Sequence, residues 1–96
     1  MDINWSTAIV SNKNIVVVEP HNANLSTHIP ELVSLIKTKI GDVHFIAFRH
    51  SNGTWKAIEM TRGTIRKIHT IRGQNRYATT MEIPYLVANQ FTLGAA

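Results

Sequence analysis

The sequence predicts a single α+β domain spanning residues 1–96, with one antiparallel sheet and two helices packed on one of its faces. The expected order is β-β-α-β-β-β-β-α. Three observations predict it. Apolar residues make up 44% of the chain and charged ones 17%, the balance of a globular core rather than a disordered segment. Asn52-Gly53 sits between two β-rich runs, the strongest short-range signal of a hairpin. Two stretches that both open on Ile-Pro, at Ile29 and Ile83, space their apolar residues as helices do.

The elements follow in order. Trp5 to Val10 and Ile15 to Glu19 are strand-like, with turn residues at Ser11 to Asn14 between them. Ile15-Val16-Val17-Val18 is continuously apolar, so that strand is expected to be buried on both faces. Pro20 ends it, having no N–H for a ladder. Ile29, Leu32, Val33, Ile36 and Ile40 then form one helical stripe, with Pro30 and Glu31 in the first turn, Lys37 and Lys39 near the end and Gly41 as a stop. Val43–His50 and Trp55–Thr61 form the hairpin around Asn52-Gly53. Between Arg62-Gly63 and Arg72-Gly73 lies TIRKIHTI, read as an outer strand from its β-branched content, although a short helix would also bring Ile65 and Ile68 together. Arg76 to Glu82 alternates well enough to pair back as a further strand. The last helix runs from Pro84 to about Phe91, with Ile83, Leu86, Val87 and Phe91 inward.

Composition removes several function classes. With no cysteine there is no disulfide framework, thiolate metal site or cysteine nucleophile. No stretch reaches the ~18 apolar residues of a membrane span, and no basic–apolar leader is visible at Met1 to Val10, so the expected location is the cytoplasm with no membrane partner. His21, His28 and Glu31 are chemically competent zinc or iron ligands, but nothing fixes their geometry and no metal or other cofactor is expected.

Charge is the most informative feature. The net charge is +4, and residues 49–76 carry seven of the ten lysines and arginines against Glu59 alone. A localised positive field calls for an acidic partner. The residues expected to make that contact are Arg49, Lys56, Arg62, Arg66, Lys67, His69, Arg72 and Arg76, with Trp55 and Tyr77 as stacking or anchoring aromatics. Cations bind phosphates with counterion release and exposed rings stack on bases, so nucleic acid is the first expected partner. The alternative is an inhibitor or regulator of the kind made by phages and mobile elements, bound to an acidic surface of a host protein complex. A homodimer through an edge strand, Thr64–Arg72 or Trp5–Val10, is a further possibility.

Two partial resemblances bear on mechanism. From Ile29 onward the order of elements is similar to that of double-stranded RNA-binding domains, but the lysine cluster that clamps phosphates in those domains is replaced here by Met81-Glu82-Ile83-Pro84. Gly41-Asp42-Val43-His44-Phe45, followed by Asn52-Gly53-Thr54-Trp55 and Glu59, resembles the histidine–acid hairpin of ubiquitin-like-protein proteases and of the YopJ-type acetyltransferases. That resemblance implies His44 as general base, Glu59 as the acid orienting it and Gln74 as an oxyanion donor. The nucleophilic cysteine is absent, and no Walker, G-x-S-x-G or H-E-x-x-H motif occurs, so no catalysis is expected.

Overall fold

The computed structural model describes residues 3–19, 25–50, 53–73 and 79–91. Five strands, β1 (Trp5–Val10), β2 (Lys13–Val18), β3 (Phe45–Arg49), β4 (Trp55–Thr61) and β5 (Thr64–Thr70), form one sheet in sequence order. Helix α1 (Ile29–Lys39) follows β2 after a short 3-10 turn at Leu25–Thr27, and α2 (Ile83–Gln90) closes the described chain. No helix among the described residues is long and apolar enough to cross a membrane.

The sheet is mixed rather than antiparallel. β1–β2, β3–β4 and β4–β5 are antiparallel, but β2 and β3 are parallel, with Ile15 opposite Phe45 and Val17 opposite Ala47. The cause is α1. An intervening helix carries the chain back to the end where β2 began, so the next strand runs the same way as β2. Residues 79–82 form a turn rather than the end of a sixth strand, and 74–78 lie outside the described residues. The expectation of a strand over Arg76–Glu82 is therefore corrected at its described end.

The helices also do not share a face. Val16, Val18, Ile46, Phe48, Ile58 and Met60 pack with Leu25 and with Leu32, Val33 and Ile36 of α1. The alternate residues Ile15, Val17, Phe45, Ala47, Trp55 and Ala57 pack with Ile71 and with Ile83 and Val87 of α2. Strand residues point alternately to the two sides, so a run that is apolar at every position needs cover on both. β2 and β3 are such runs: Ile15 to Val18 and Phe45 to Phe48 are all buried. The expectation that both helices pack on one face is thus corrected: each covers one face, and the layers are helix, sheet, helix.

Two tight turns set the register at the ends. Ser11-Asn12 and Arg62-Gly63 each have positive φ at both positions (52° and 64°, 52° and 77°), the type I′ geometry that matches strand twist. The first turn is therefore two residues long and β2 begins at Lys13, earlier than the sequence indicates. The outer-strand reading of 64–70 holds, and its helical alternative does not.

Candidate nucleic-acid interface and the Glu59 cleft

Among the described residues β5 is an edge strand, and the register of its pairing with β4 slips at Glu59/Met60. Glu59 stands opposite Lys67 and Met60 opposite Ile65, so Arg66 is an extra residue, a β-bulge. In a regular strand Arg66 and Lys67 would point to opposite sides. The bulge brings both to the α2 side, where they line an open cleft of about 460 Å³ together with Glu59, His69, Gln90 and Phe91.

Glu59 is the floor of that cleft and is fully buried. It alternates with Trp55 and Ala57 along β4, so strand geometry carries it inward with them. A buried carboxylate needs charged or hydrogen-bonding partners. Arg66 donates from Nη1 to Glu59 Oε2 at 2.9 Å, and His69 Nε2 lies 2.7 Å from Glu59 Oε1. The His69 ring stacks on Phe91 with centroids 4.3 Å apart and planes 22° from parallel, and Phe45 closes the inner side at 6.5 Å. Imidazole position is thus fixed both by a hydrogen bond and by an aromatic wall. Gln90 ties this end of α2 to the strand: its Oε1 accepts from the Arg72 N–H and its Nε2 donates to the Arg72 carbonyl, both at 2.7 Å.

The residues singled out by sequence separate into groups. Arg66, Lys67 and His69 meet in the cleft. Arg62, in the turn before β5, and Arg72, just after it, are exposed and extend the positive row along the same edge. Lys56 points to the α1 side, where its Nζ donates to Thr70 Oγ1 at 2.7 Å. Arg49 is half-buried with its guanidinium 5.1 Å from the centre of the Trp55 ring. Trp55 itself is fully buried, with Nε1 lacking a hydrogen-bond partner among the described residues, so the expectation that it stacks on a partner is corrected: it is core. Its alternation with Ala57 explains this, since both follow the inward face of β4. Arg76 and Tyr77 lie outside the described residues.

The His44–Glu59 pairing implied by the protease resemblance is not formed. His44 Nδ1 accepts from the Asn14 N–H at 2.8 Å, and the His44 backbone continues the parallel pairing with β2 through Asn14. Glu59 instead holds His69, ten residues on. Sequence reasoning missed this pairing and the part played by Gln90. The available signal was a carboxylate on the inward alternation of a strand, which demands a partner from the neighbouring strand. Of the metal-ligand candidates, His21 lies outside the described residues, and no group of three or more His, Cys, Asp or Glu suited to a metal occurs among the described ones.

Comparison of the chain with protein-family models, with curated proteins and with solved structures finds no match to any of them.

Proposed function

We propose that this protein is a nucleic-acid-binding module that attaches through the β5 edge, with Arg62, Arg66, Lys67 and Arg72 contacting successive phosphates. The observation that carries this reading is the charge of the edge. Between residues 49 and 73 the sole carboxylate is Glu59, and it is fully buried beneath Arg66 and His69. Toward solvent the segment therefore presents mainly cations: Arg66 is paired with Glu59 and Asp42 lies beside the Arg62-Gly63 turn, while Lys67 and Arg72 face outward with no carboxylate of their own segment to balance them. A linear row along an extended strand suits a backbone of regularly spaced phosphates. The helical cover on both faces leaves this edge, rather than a sheet face, as the place for a strand of nucleic acid to lie.

The test is fluorescence anisotropy with labelled single- and double-stranded RNA and DNA. Four phosphate contacts on a single strand give a log–log salt slope near −3, so affinity should fall about 50-fold between ~50 and ~200 mM salt. Reversing charge in Lys67→Glu/Arg72→Glu, two exposed side chains outside the Glu59 ion pair, should abolish binding while the thermal transition remains cooperative. Undiminished binding by that variant would show that the wrong surface has been chosen.

One observation favours a second reading, an acidic protein partner. Ile65 and Ile68 are 37% and 42% exposed on β5, whose outer edge has no strand beside it among the described residues. A partner strand bearing carboxylates on one side and apolar groups on the other would complete that edge. A second copy of this chain fits less well, because antiparallel pairing about the centre of β5 would set Lys67 against itself. Capture of one defined protein, with no affinity for free nucleic acid, would support this reading over the first.

A further inference from the structure

We propose that the Glu59 cleft is an acid–base site that cleaves single-stranded RNA, with His69 as the general base. The inference rests on the reading of the β5 edge as a nucleic-acid surface and adds chemistry to it. It starts from hydrogen-bonding capacity. Glu59 Oε1 occupies His69 Nε2, and Phe91 occupies one ring face, but Nδ1 has no partner among the described residues of the cleft wall. With Nε2–H donated to the buried carboxylate, Nδ1 carries the lone pair and can accept a proton. A buried acid that fixes the tautomer and orientation of an imidazole is the arrangement a general base requires.

The rest of the cleft supplies charge where a phosphoryl transition state develops it. Lys67 has its ammonium uncommitted among the described residues, and Arg66 uses Nη1 toward Glu59 while its side chain remains 48% exposed. Two cations beside a base select a substrate that presents a hydroxyl next to a phosphodiester, and in RNA the 2′-hydroxyl is such a group. His69 Nδ1 takes the 2′-hydroxyl proton as the 2′-oxygen forms a bond to phosphorus. The bond from phosphorus to the 5′-oxygen breaks, and that oxygen leaves with a proton from solvent at the open mouth of the cleft. The proton on His69 then returns to solvent, and the products are a 2′,3′-cyclic phosphate and a 5′-hydroxyl. No oxidant, reductant or co-substrate is consumed.

The pairing also assigns a positioning role to Glu59, which is buried and does not touch substrate, and a charge-stabilising role to Lys67. DNA lacks the nucleophile, so it should bind the same edge and remain intact.

The experiment uses the full chain with a mixed-sequence single-stranded RNA of about twelve nucleotides, in the presence of EDTA, and follows both binding and cleavage. Matched DNA and 2′-O-methyl RNA serve as bound but unreactive probes. The expected result is cleavage of RNA alone, with cyclic-phosphate ends. His69→Gln should slow it by ~10²-fold or more, the scale of general-base catalysis. Lys67→Ala changes an exposed side chain, leaves the fold intact and should slow cleavage more than it weakens binding. Lys39→Ala, an exposed change at the end of α1 remote from the cleft, should cleave as the parent does. RNA held tightly but cut no faster by the parent than by His69→Gln overturns this inference and leaves the binding reading standing. Cleavage of 2′-O-methyl RNA also overturns it. Absence of RNA binding at low salt overturns both readings together.

Discussion

The two sides of the sheet differ in what they bury. The residues buried on the α1 side are all apolar, from Val16 and Ile46 on the strands to Leu32 and Ile36 on the helix. The α2 side begins in the same way with Ile15, Phe45, Ile83 and Val87, but at β5 it gives way to a fully buried glutamate held by an arginine and a histidine. Apolar burial stabilises at low risk, whereas a buried ion cluster often does no better than apolar residues of the same size. The α1 side is thus held by apolar packing, whereas the β5 end of the α2 side carries a charge cluster whose net contribution to stability is expected to be small.

Truncation on the apolar side should have the largest effect. Ile46→Ala removes a fully buried side chain from the central strand β3 and should cost ~2–5 kcal/mol in urea denaturation, with nucleic-acid affinity of the folded fraction unchanged. On the other side the sign of the effect depends on how much of the cluster is removed. Glu59→Ala alone strands His69 and Arg66 against a vacated site and should cost about 3 kcal/mol. Replacing the whole cluster, Glu59→Met/Arg66→Met/His69→Leu, should leave stability near that of the parent or raise it, yet weaken binding sharply. A triple variant as unstable as the sum of its single changes would mean that the cluster serves the fold rather than the surface.

How much of this was legible in the sequence depends on the range of the interaction. Local signals were faithful. The spacing of Leu32, Val33 and Ile36 located α1, Ile83-Pro84 located the start of α2, and Trp55–Thr61 was bounded correctly by its turns. The parallel pairing of β2 and β3 is nonlocal, but its consequence was present in plain view. Two strands apolar at every position, Ile15–Val18 and Phe45–Phe48, already require a helix on each face. Trp55, expected on the binding surface, was not legible as core: it lies on the face of β4 opposite Ile58 and Met60, and only the cover supplied by α2 makes that face inward too.

The candidate site was legible only as charge. The cations of residues 62–72 stand out in the sequence, but the bulge at Arg66 that gathers two of them on one side depends on a single-residue slip between β4 and β5. No local motif marks that slip. The choice of His69 over His44 as partner to Glu59 depends on the same register, because cross-strand neighbours are set by pairing and not by spacing along the chain.

The most direct test of the central claim, that the β5 edge is the binding surface, is a titration of the ¹⁵N-labelled protein with single-stranded RNA followed by backbone amide NMR. Shifts should concentrate on Thr64–Thr70, Arg62 and Arg72 and extend to Gln90 and Phe91 at the cleft, with the β1 edge and α1 unmoved. Shifts centred on β1 or α1, or an unperturbed β5 at saturating RNA, would contradict it.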